Sequence, residues 1–176
     1  MNLFLWGALP YIAFTFLIVG TLVRFFYFER NWTTKSSEFL EKKQLRIANP
    51  LFHFGLLCVI GGHVVGVLVP KTWTAAMGIN DHMYHEGALY MGAVAGIIFI
   101  VGFLLLMKRR FTVPAMKVNT SGFDKWLYLF LTLAIFSGMA GTLLNASGFF
   151  DYRVSIGPWF RSLLSFMPDP SLMEGV

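Results

Sequence analysis

The chain has 176 residues, 56% of them hydrophobic and 17% aromatic, with charged residues at 13%. A soluble domain of this size carries about a quarter charged residues, so a water-soluble globular fold is excluded in favour of an integral membrane protein. The net charge of +5 reflects Lys and Arg clustered in two connections, which marks topology and excludes nucleic acid as a partner.

Four apolar segments follow in chain order, each near the ~20 residues that cross a ~30 Å hydrocarbon layer as a helix. The first spans about residues 3–28 and contains Pro10. It has no Lys or Arg ahead of it and basic residues after it, so it is a retained helix and not a signal peptide. The connection that follows carries Arg24, Arg30, Lys35, Lys42, Lys43 and Arg46, and its residues 31–46 are expected to form a short surface helix. The second helix spans 50–70, with Asn49-Pro50 as its start and Pro70 as its end. Within it, Cys58 reads as a small buried packing residue.

A short loop with Asp81-His82-Met83-Tyr84-His85 leads to the third helix at 88–107, which carries Gly92 and Gly96. Lys108, Arg109, Arg110, Lys117 and Lys125 precede the fourth helix at 126–146, which carries Gly138 and Gly141. Both glycine pairs have a spacing that lets spanning helices approach closely. The tail at 147–176 mixes Trp159, Phe160, Leu163 and Leu164 with Arg153 and Arg161, as an outer interfacial segment would. The positive-inside bias puts the two basic connections in the cytoplasm and the N-terminus and tail outside. The expected architecture is an all-α integral membrane bundle of four transmembrane helices, one membrane domain over residues 1–176.

The chemistry lies in the second helix, NPLFHFGLLCVIGGHVVGVLVP, which carries His53 and His63. Ionisable side chains at membrane depth face the protein interior and mark function. The two are ~15 Å apart along the axis and turned by roughly 80°, so one metal cannot take both. Gly61, Gly62 and Gly66 surround His63, and glycine lets a flat macrocycle reach the backbone. Two haems at two depths fit this pattern, with histidine as axial ligand; zinc, needing three or four ligands at one point, does not. The ligand count does not close, because His82 and His85 are too shallow to serve His53. Met91 and Met139 read as packing residues.

The LFH-x9-H element in NPLFHFGLLCVIGGHVVGVLVP, LLLMKRRF after the third helix and the basic Trp-containing first loop resemble the gamma subunit of respiratory nitrate reductase over almost the whole chain. The resemblance implies a five-helix dihaem b-type membrane anchor with its N-terminus outside. His53 would ligate the inner haem iron and His63 the outer one, with partner histidines on a fifth helix. The chain ends after its fourth helix, so it looks like a truncated gamma subunit and is expected to hold low-spin haem weakly or not at all. The resemblance further implies oxidation of menaquinol or ubiquinol near the outer haem, at a site of Gly62, His63, Tyr84 and His85. Electrons would pass by two haem b groups to an iron–sulfur beta subunit and a molybdenum alpha subunit at the cytoplasmic face of a bacterial or archaeal plasma membrane. Two rival expectations remain: a dihaem anchor of a sulfur-metabolism or heterodisulfide-type complex, and a haem-free membrane scaffold.

Overall fold

A computed structural model describes residues 2–28, 39–149 and 151–174. Helices joined by turns and short connections make up these residues, and no strand occurs among them. A π-helical turn, Phe4–Ala8, runs into α1 (Leu9–Tyr27); then come α2 (Lys43–Leu68), α3 (Lys71–Ala76), α4 (Asp81–Thr112), α5 (Pro114–Val118), α6 (Gly122–Ala146), α7 (Ile156–Leu164) and a 3-10 turn, Pro170–Met173. Four segments are long and apolar enough to cross a bilayer: Phe4–Tyr27, Lys43–Leu68, Asp81–Thr112 and Gly122–Ala146. They match the four segments read from the sequence, and the chain is an all-helical, multi-pass membrane protein.

Three helix starts differ from expectation, each for a local reason. Helix α2 begins at Lys43, with Pro50 inside it. Proline there removes the amide that would meet the Arg46 carbonyl, yet tertiary bonds pin the turns before it. The Glu41 carboxylate accepts the Gln44 amide at 2.8 Å, and the Gln44 side chain donates to the Leu105 carbonyl at 2.9 Å. Of the surface helix expected over residues 31–46, residues 31–38 lie outside the described residues, and Lys43 to Arg46 form the first turn of α2. Helix α4 begins at Asp81 because the Asn80 side chain accepts the Met83 amide, an N-cap that turns the expected loop into two helical turns. Helix α6 begins at Gly122 behind a reciprocal capping box between Ser121 and Asp124.

The described residues fall into two compact units. One joins the N-terminal helix to the tail. Pro10 has no amide hydrogen for the Trp6 carbonyl one turn earlier. The Trp159 indole of α7 donates to that carbonyl at 2.8 Å, and the two indole rings meet edge-on with centroids 5.6 Å apart. At the other end of α7, the Tyr11 hydroxyl donates to the Leu163 carbonyl at 2.8 Å. The turn after α7 then closes with Phe166 donating to Leu163 and Met167 donating to Ser162, a Schellman pattern. Phe166 takes the left-handed conformation with φ 57, where glycine is usual; its ring stacks on Tyr11 at 6.0 Å.

The other unit holds α2 to α6. Gly55 of α2 lies against the Phe99 backbone, and Gly102 of α4 lies against the Phe52 backbone. These reciprocal contacts make α2 and α4 antiparallel, with Phe52, Phe99 and Phe103 packed at the crossing. Phe103 also meets Tyr128 of α6. By contrast, the expected packing glycines Gly92, Gly96, Gly138 and Gly141 face no neighbour among the described residues, and Cys58 is exposed. Spacing alone does not reveal which face of a helix meets a partner.

Candidate functional site

His53 and His63 are both exposed on α2. Each ring is tied to its own helix in the same manner. Nδ1 of His53 bonds the Asn49 carbonyl at 2.9 Å, and Nδ1 of His63 bonds the Val59 carbonyl at 2.8 Å. A carbonyl only accepts, so each Nδ1 carries the hydrogen and each Nε2 presents its lone pair outward. Ligating histidines characteristically hold their second ring nitrogen this way, which fixes the tautomer and the ring plane and raises basicity.

The antiparallel register converts sequence positions into depths. Pairing Gly55 with Phe99 and Phe52 with Gly102 places His63 about level with Met91 and His53 about level with Val101. The two Nε2 atoms therefore belong to tiers ~15 Å apart along the helix. Among the described residues no group of three or more His, Cys, Asp or Glu side chains is placed to hold a metal ion. Each histidine suits the role of a single axial ligand from this helix. Beside His63, the backbones of Gly61 and Gly62 have no heavy atom within 4 Å of where a Cβ would stand, so a flat ring can approach there. The donor at either histidine suits haem iron, and the clearance beside His63 fits the ring.

Tyr84 and His85 sit in the first turns of α4, not in a loop. The register puts His85 ~9 Å along the axis from the level of His63, toward the α4 N-terminus. Tyr84 is partly covered and His85 exposed. They precede Gly102 and Phe103 by about five helical turns, so they lie on the same α4 face that packs at the crossing. The structure thus places Gly62, His63, Tyr84 and His85 toward one end of the α2–α4 pair, in successive tiers. Lys71 pairs with Asp81 at 3.6 Å and His82 with Glu86 at 3.7 Å at that end. The Lys71–Asp81 pair escaped the sequence reading, since it depends on Pro70 turning the chain into α3.

The opposite end of the same unit collects the basic residues. Arg109, only 4% exposed, donates through Nε to the Glu41 carboxylate at 2.8 Å and through Nη2 to the Glu41 carbonyl at 2.7 Å. Arg110 pairs with Asp124. The Gln44 amide holds the Glu41 carboxyl below its ordinary value of 4.5; partial burial opposes this, and Arg109 adds to the lowering. These bonds bring Lys42, Lys43 and Arg46 to the same end as Lys108, Lys117 and Lys125.

A family model described as nitrate reductase gamma subunit matches residues 2–176. The chain is 46% identical over 173 residues to the nitrate reductase gamma chain of Bacillus subtilis, covering 98% of this chain and 78% of that one. It is 31% identical over 143 residues to the respiratory nitrate reductase 1 gamma chain of Escherichia coli, covering 81% and 62% respectively. The nitrate reductase-like protein NarX of Mycobacterium tuberculosis is 39% identical over 171 residues, 96% of this chain but 26% of that longer protein.

Proposed function

This chain belongs to the nitrate reductase gamma subunit family, a membrane subunit of an oxidoreductase complex, and on that premise we propose that it is the quinol-oxidising cytochrome b subunit. His53 would hold one haem b through Nε2 and His63 a second. When bound, the haems supply one-electron transfer between quinol and the partner subunits. The carbonyls of Asn49 and Val59 hold the two imidazoles in the ligating tautomer. Gly62 leaves room for the quinol ring, and His63 helps to orient it. His85 would accept a quinol proton, or Tyr84 relay one, toward the outer face, the side on which the N-terminus and tail lie in this reading. At the cytoplasmic face, the basic end built on Arg109–Glu41 would dock the iron–sulfur beta subunit, which is followed by the molybdenum alpha subunit.

The observation that supports this most is the paired Nδ1–carbonyl bond on two histidines of one spanning helix. The test is potentiometric titration of haem absorbance in the assembled complex. His53→Ala and His63→Ala should each remove a different haem signal. His63→Ala should also abolish quinol-driven nitrate reduction while leaving reduction by a soluble viologen intact. Retention of both haem signals in both variants would overturn the reading.

A further inference from the structure

We propose that α7 and the turn after it form a lipid-embedded foot, lying in the headgroup region with Leu164 and Met167 against lipid. This is independent of the haem reading and rests on three features of the unit that joins the N-terminal helix to the tail. The first is depth. Trp159 bonds the Trp6 carbonyl and Tyr11 bonds the Leu163 carbonyl, and both anchor residues belong to the opening turns of the spanning segment Phe4–Tyr27. Trp6 and Tyr11 are ~7.5 Å apart along that axis, so α7 is held level with the boundary between headgroups and acyl chains. Amphipathic helices that lie on a bilayer occupy this depth.

The second feature is the division of α7 into faces. Leu163 is 3% exposed, whereas its neighbour Leu164 is 53% exposed. The third is the turn itself. The left-handed Phe166 forces the chain to reverse and leaves Phe166 and Met167 82% and 77% exposed. A non-glycine residue persists in that conformation only where its surroundings hold it, and here the Tyr11 ring does so. Large apolar groups displayed by a built turn, in a unit that also carries Trp6, Tyr11 and Trp159, reproduce the aromatic composition of a membrane interface. A water-facing loop has no use for such a display.

The test is nitroxide scanning of the assembled complex, reconstituted in phosphatidylethanolamine–phosphatidylglycerol vesicles. Cys58→Ser removes the single native cysteine. Met167→Cys and Leu164→Cys then report the foot, with Phe16→Cys as a mid-span reference and His82→Cys, 80% exposed, as an aqueous one. At both foot positions, collision with oxygen should fall between the two references, and collision with a water-soluble nickel chelate should be several-fold below that at position 82. Nickel collision equal to that at position 82 would place the foot in water and overturn the proposal. Suppression of both collision rates would mean that a protein partner covers it, and would overturn it equally.

Discussion

Adding one methyl group at Gly102 tests the α2–α4 crossing on which the two histidines depend. In Gly102→Ala, the new carbon would stand 2.3 Å from the Phe52 amide nitrogen, 2.6 Å from its Cα and 2.8 Å from the Leu51 carbonyl carbon. Ordinary contact begins near 3.4 Å, so the helices must separate by roughly 1 Å. All three atoms are backbone, and no rotamer change relieves them. Overpacking of this kind costs about 1–3 kcal/mol. In a chain of 150–250 residues each kcal/mol moves the melting midpoint by about 2–4 °C. The expected result is a midpoint about 2–12 °C lower, read by far-ultraviolet circular dichroism in detergent. Gly92→Ala is the control: its added carbon meets nothing within 4 Å. It should melt with the wild type or slightly above it, by the helix propensity of alanine. A Gly102→Ala protein that melts with the wild type, or a Gly92→Ala protein that loses as much, refutes the assigned crossing.

Trp159→Phe removes the donor to the Trp6 carbonyl and should lower stability by about 1–2 kcal/mol. In a Pro10→Ala background the loss should fall by more than half, because the introduced alanine supplies an amide one turn along; a double-mutant cycle with no coupling would contradict this. Glu41 has a lowered carboxyl value, so its stabilising contact is present above its ordinary value of 4.5 and fades as pH falls through the lowered one. Glu41→Gln should therefore flatten the acid limb of the stability profile, and an unchanged limb would exclude this carboxylate as its source. Ser121→Ala removes the α6 capping box and should cost about 1 kcal/mol, with faster hydrogen exchange at the first α6 amides as the direct readout.

Composition and length alone located the four spans, because lipid offers no alternative to long apolar helices. Helix starts were less legible. Asn49-Pro50 has the form of an N-terminus, but Gln44 and Glu41 extend α2 by bonds to Leu105 and Arg109, residues far off in sequence. His53 and His63 were legible as candidates, since imidazoles in an apolar run stand out. Their tautomers were not, because these depend on rings folding back onto Asn49 and Val59. The glycines that pack, Gly55 and Gly102, look in sequence no different from Gly92 or Gly138; only the partner helix distinguishes them.

The bond between Trp159 and Trp6 spans 153 positions, and synthesis proceeds from one to the other. At about 5–20 residues per second, the first helix waits roughly 8–30 s before its proline-orphaned carbonyl can meet the indole. An unsatisfied carbonyl cannot spend that time in hydrocarbon without penalty. The break at Pro10 therefore belongs where water can stand in for Trp159 until the tail emerges, and the opening turns of the first helix meet that condition.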